Sequence, residues 1–181
     1  FQTSNSFVFS LSLLTFGFSE AYIRFYTQKR AHGTEEDIRR LNGMYLVLYV
    51  VVCAVALVLG LLFAANVATF FSSSFTPDQV GLAGQLMAIM AFSVACTLFS
   101  TVFDAYIMAH EQFRFQQTRQ MFTSLAMPGL AFVLLSLGMG VVGVALSQLA
   151  VNLVLLLLNA RFAIRRLSMR FDVRRFDGAL F

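Results

Sequence analysis

Four long uncharged stretches divide the chain: Phe1–Ser19, Leu41–Pro77, Gln79–Phe103 and Gln120–Ala160. A helix needs about 20 apolar residues to cross the hydrocarbon core of a bilayer. The pattern therefore predicts five spanning helices, near Asn5–Gln28, Glu35–Ala65, Pro77–His110, Phe113–Leu137 and Met139–Leu167. The last stretch is too long for one crossing and suits two, folded at Gly138-Met139-Gly140, where glycine permits a tight turn. Residues 168–181 then form a cytoplasmic tail or the start of a further segment. The expected fold class is all-α: a single transmembrane domain built as a polytopic helix bundle.

Two helix starts carry capping signals. Thr76-Pro77-Asp78-Gln79 places a hydroxyl at the cap, proline at the first helical position and glutamine at the third. Thr34-Glu35-Glu36-Asp37 resembles the same device, so the second helix is expected to begin before it enters the membrane. A helix over Pro77–His110 would run about 50 Å at 1.5 Å per residue, longer than the hydrocarbon core, and should tilt or project. Small residues four apart, Ala56/Gly60/Ala64, Gly84/Ala88 and Gly143/Ser147, mark seams where backbones can approach. Pro128-Gly129 falls inside the fourth helix, where a missing hydrogen bond favours a kink.

Charge gives these helices a direction. All 13 Lys and Arg residues lie at Arg24–Arg40, at Arg114 and Arg119, or at Arg161–Arg175. The connections near Ser72–Ser74 and Gly138–Gly140 carry none. Basic residues flanking spans stay on the cytoplasmic side, so the pattern puts the N-terminus outside and the C-terminus in the cytoplasm. The chain begins at Phe1 inside an apolar segment, and we expect at least one further helix before it in a longer protein. Hydrophobic residues are 59% and charged residues 12%, with a mean hydropathy of +0.77; soluble domains carry about 25% charged residues. The basic balance, pI near 9.5, is confined to span ends. Anionic lipid headgroups are therefore the expected partner, not nucleic acid.

The residues with most chemical potential are charges inside spans. Glu20 and Arg24 lie one turn apart on one face of the first helix. Arg24 is about 7.5 Å along the axis from Lys29 and can snorkel toward the interface, whereas Glu20, about 13 Å in, cannot. Asp104 sits about 9 Å from His110, at a comparable depth. A charge at mid-bilayer costs about 2.5–3.5 kcal/mol, so these three are expected to face a protein-lined or wet cavity. The competing readings are a structural Glu20–Arg24 ion pair and an isolated interfacial Asp104. Gln148 and Asn152, four apart, with Asn159, Ser12, Thr15 and Ser19, could line a polar pathway; the plainer reading is hydrogen bonding between helices.

Catalytic patterns are missing from the sequence. His110-Glu111 lacks the second histidine of a metal-binding H-E-x-x-H motif. No G-x-S-x-G serine or phosphate-binding glycine loop occurs, and Cys53 and Cys96 form no ligand pair. Neither an enzyme, a metal site nor a cofactor is expected.

Three stretches resemble one family. GFSEAYIRFYTQKRAHGTEEDIRRLNG (Gly17–Gly43), DAYIMAHEQFRFQQTRQ (Asp104–Gln120) and GMGVVGVALSQLAVNLVLLLLNARFAIRR (Gly138–Arg166) look like parts of helices two to six of polysaccharide flippases. These belong to the multidrug/oligosaccharidyl-lipid/polysaccharide (MOP) exporter superfamily. The resemblance implies the N-terminal lobe of a two-lobed, alternating-access transporter in the cytoplasmic membrane. Its cargo would be an isoprenoid diphosphate-linked glycan moved for cell-surface polysaccharide synthesis. Arg24 matches the second-helix arginine and would attract the diphosphate; Glu20 and Asp104 have no firm counterpart. A drug or cation antiporter of the same superfamily and a non-transporting membrane scaffold are the alternatives. The sequence leaves the glycan, the coupling ion and the oligomeric state open.

Overall fold

The computed structural model describes residues 19–66 and 77–171. Helix α1 covers residues 19–32 of these. It is followed by α2 (Glu35–Ala65), α3 (Pro77–Ala109), α4 (Phe113–Ser136) and α5 (Gly140–Arg165). No strand occurs among the described residues. The protein is all-α, as the hydrophobic runs predict; α1 runs on to residue 32, past the expected Gln28, and its expected start at Asn5 lies outside the described residues. The expected positions Ser12, Thr15, Ser72–Ser74 and Thr76 fall outside the described residues.

Local chemistry sets the boundaries. Thr34 caps α2 reciprocally with Asp37: the Asp37 amide donates to Thr34 Oγ1 (3.4 Å), while the Thr34 amide and hydroxyl both donate to Asp37 Oδ2 at 3.0 Å. This is a capping box with aspartate in the third position. Three acids in the first turn, Glu35, Glu36 and Asp37, also complement the helix dipole. Between α4 and α5 the chain turns at Gly138 (φ 81°) and Gly140 (φ 55°), conformations that cost an L-residue about 1–2 kcal/mol and glycine almost nothing. Helix α4 continues through Pro128.

Among the described residues, three helices are long and apolar enough to cross a membrane: α2, α3 from Gln79 onward, and α5. Helix α4 opens with Arg114, Gln116, Gln117, Arg119 and Gln120, which dilute its apolar length. Much of the uncovered surface of α2 and α4 is apolar. Val51, Val55, Val58 and Leu62 on α2 and Met121, Leu125 and Phe132 on α4 are all at least half exposed. Such surface is a liability in water and the normal dress of a lipid-facing helix. This is a helical membrane protein.

The described chain forms two compact units. One consists of residues up to Val50 with Ser100–Gln112 and Asn159 onward; the other of Val51–Phe99 and Phe113–Leu158. In the second unit α2 and α3 meet closely: a Cβ on Gly60 would stand 2.6 Å from the Ala91 Cβ. Cys53 Sγ donates to the Ala95 carbonyl (3.4 Å) and Asn152 Nδ2 to Ser93 Oγ (2.8 Å). The first unit holds the aromatic cluster.

Candidate functional site

Helix α1 presents Tyr22 and Tyr26 one turn apart, α2 presents Tyr45 and Tyr49 at the same spacing, and α3 presents Tyr106 and His110. Residues four apart share a helix face, so each helix contributes one aromatic stripe, and the stripes converge in the first unit. Ring centroids are 4.4 Å apart for Tyr22–Tyr45, 4.7 Å for Tyr45–Tyr49 and 5.9 Å for Tyr22–Tyr26. Tyr26 meets Tyr106 edge-on at 5.5 Å, and His110 packs on both, at 5.2 and 4.3 Å. All five tyrosines of the chain are in this cluster and all five are buried. Such pairs contribute about 0.5–1.5 kcal/mol each beyond area burial.

Their polar ends are satisfied. The Tyr22 hydroxyl donates to Asn42 Oδ1, and Asn42 Nδ2 donates to the Arg170 carbonyl at 3.1 Å. Tyr106 donates to the Leu167 carbonyl (3.3 Å), and the Ser19 and Tyr45 hydroxyls lie 3.4 Å apart. Tyr26 and His110 Nε2 are 3.0 Å apart. Burial lowers the His110 pKa below its usual 6.5, with the Arg30 charge acting in the same direction, against a raising hydrogen bond to the Tyr106 carbonyl.

The segment after α5 closes over this cluster. The Met169 amide donates to the Ala163 carbonyl at 3.0 Å, and the Met169 side chain is buried. Ser168 takes a left-handed conformation, φ 54°, which lets the chain reverse. Between this segment and α2 lies an open cavity of about 310 Å³. Tyr26, Asn42, Tyr106, Ile38 and Leu167 line it together with Glu35, Arg39, Ser168 and Arg170.

The charged residues singled out in the sequence lie elsewhere on α1. Glu20 and Arg24 are exposed, on the face opposite Tyr22 and Tyr26, and form no ion pair with each other. The expectation that this face turns inward beside Asp104 is not met: successive positions on a helix step by about 100°, and the tyrosines hold the packed face. Asp104 is half-buried, near enough to Tyr45 to act on it electrostatically. Ser19 belongs to the aromatic cluster. Asn152 bonds Ser93, and Asn159 bonds Ser100 Oγ at 2.8 Å, the plainer of the two readings; Gln148 is half-buried on α5. No group of three or more His, Cys, Asp or Glu side chains converges on a metal-sized site among the described residues.

Sequence reasoning missed the tyrosine cluster. Its signal was present as three i, i+4 aromatic pairs, each within about four turns of a basic segment. Compared with known families, curated proteins and solved structures, the chain matches none.

Proposed function

We propose that this protein is a membrane transporter that moves a lipid-linked oligosaccharide across the cytoplasmic membrane. The observation that carries this reading is the division of α1 into two faces. Tyr22 and Tyr26 are buried in helix packing, while Glu20 and Arg24 are exposed on the other side. Hydrocarbon does not tolerate such charges, so a face bearing both belongs against a polar, protein-lined passage. A guanidinium there matches a diphosphate through paired N–H donors. The basic segregation of the sequence orients the passage with the Arg24–Arg40 end toward the cytoplasm, and the resemblance of Gly17–Gly43 to flippase sequences points to the cargo.

The test is reconstitution into liposomes with a fluorescent isoprenoid diphosphate-linked glycan in one leaflet. Protein-dependent loss of fluorescence to a membrane-impermeant quencher is the expected result. Movement of a cationic dye in place of the glycan would make the protein an antiporter. Movement of neither would make it a scaffold.

A further inference from the structure

We infer that the cavity between α2 and the segment after α5 is a binding site for a phosphate-bearing headgroup, on the opposite side of α1 from Arg24. The site deepens the transporter reading and rests on it for the direction from which a headgroup arrives, but its chemistry is independent. Its floor is aromatic and fixed: Tyr26 and Tyr106 are buried, and the Asn42 side chain is held at both ends by Tyr22 and the Arg170 carbonyl. Its rim is cationic and loose. Arg170 is exposed, and among the described residues no hydrogen bond or ion pair engages its guanidinium. Arg39 pairs among the described residues with Glu35, at 3.4 Å, with side chains 39% and 90% exposed. An ion pair that exposed is weak and yields readily to a better acceptor.

Two arginines and two tyrosines bordering one cavity are suited to a phosphate with an attached polar group. Arginine takes phosphate oxygens bidentately, while aromatic faces and the Tyr hydroxyls receive the attached part. A volume of about 310 Å³ is at the lower end of the range for small-ligand sites. The rim is also built at a conformational cost, because Ser168 is left-handed without being glycine (φ 54°). That turn brings Arg170 back over the floor. The phosphate can belong to an anionic lipid or to a soluble phosphorylated group, since both offer the same oxygens.

Occupancy is read by isothermal titration calorimetry, which needs no reporter group. The full-length protein would be placed in phosphatidylcholine vesicles and titrated with short-chain phosphatidic acid or with inorganic pyrophosphate. Saturable heat of binding is expected with at least one of them. Response to both assigns the site to phosphate itself; response to phosphatidic acid alone assigns it to a lipid headgroup. Arg39→Gln/Arg170→Gln should weaken binding by about tenfold or more, while the exposed Arg114→Gln leaves it unchanged. Glu35→Gln should tighten it, since it frees Arg39 and removes the only acid of the rim among the described residues, and a misfolded protein could not gain affinity. No saturable response to either ligand, or equal weakening by Arg114→Gln, would overturn the inference. Binding without flipping would retain this site and reject the transporter.

Discussion

The Tyr26 hydroxyl lies 3.0 Å from His110 Nε2, and the other ring nitrogen fixes the sense of that bond. Nδ1 is 2.9 Å from the Tyr106 carbonyl oxygen, which can only accept. Nδ1 therefore carries the proton, and neutral Nε2 accepts from Tyr26. A second proton on the ring would face the Tyr26 donor and place a charge among tyrosine rings.

His110 should for this reason make stability depend on pH. Burial, followed by the Arg30 charge, lowers its pKa from 6.5. A depressed folded value means that the unfolded chain takes up the proton first as acid is added. The stability tied to neutral His110 is then complete above about pH 6.5 and is lost as pH falls through the lower folded value. The melting temperature of the solubilised protein should drop from about pH 7.5 to about pH 5, and His110→Gln should flatten that drop. Identical slopes in the two proteins would reject the assignment.

Asn42 links three elements, with Tyr22 on one side and the Arg170 carbonyl on the other. Asn42→Leu should cost about 1–3 kcal/mol, because the buried Tyr22 hydroxyl and the part-buried Arg170 carbonyl both lose a partner. Tyr22→Phe alone should cost a similar amount, since it strands the Asn42 oxygen. In an Asn42→Leu background the same Tyr22→Phe change should cost much less, as no acceptor remains to be stranded. Denaturant titrations of the four proteins give the coupling, and simple additivity would show that the bond contributes nothing.

The helices were legible because each rule that sets them is local. Thr34 and Asp37 cap α2 within one turn, and Gly138 and Gly140 provide the φ values that reverse the chain. The long uncharged runs supply the rest. The aromatic site was not legible because burial of a tyrosine depends on its neighbours: Tyr22, Tyr45 and Tyr106 are far apart in sequence and meet only through tertiary packing. Charge misled for the same reason. Glu20 and Arg24 share a face by periodicity, as read, but periodicity does not say which face is turned to the other helices. The polar residues Ser93 and Asn152, and Ser100 and Asn159, pair at an identical offset of 59 residues, a register visible only once α3 and α5 are known to touch.

Close packing at Gly60 can be tested against an exposed glycine as control. An added methyl there would lie 2.6 Å from the Ala91 Cβ, whereas Gly129 has nothing within 4 Å. Gly60→Ala should lower stability by about 1–3 kcal/mol through overpacking. Gly129→Ala should be neutral or stabilising by up to about 1 kcal/mol through helix propensity. Thermal melts in one detergent suffice, and a harmless Gly60→Ala would mean that α2 and α3 do not meet there.

Orientation is open to chemical labelling. With Cys53 and Cys96 replaced by alanine, a cysteine at position 73 should react with an impermeant thiol reagent in intact cells. One at position 32 should react only after permeabilisation. The reason is the segregation of all basic residues to alternate span ends. Reaction of position 32 in intact cells would reverse the proposed direction of transport.

Arg24 decides between a transport residue and a charge that merely balances Glu20. The two side chains lie on the exposed face of α1 and do not pair with each other. If Arg24 engages a diphosphate, Arg24→Ala should abolish glycan flipping while protein accumulates normally in the membrane. Arg24→Lys should retain part of the activity, because the charge survives but the bidentate fork is lost. Removing both charges, in Glu20→Gln/Arg24→Gln, leaves neither without a counter-charge. A residue needed only for balance would then be dispensable, and flipping should return. A residue that binds cargo cannot be replaced in this way, so the double variant should stay inactive and well folded. Recovered flipping in that variant would remove Arg24 from the cargo path.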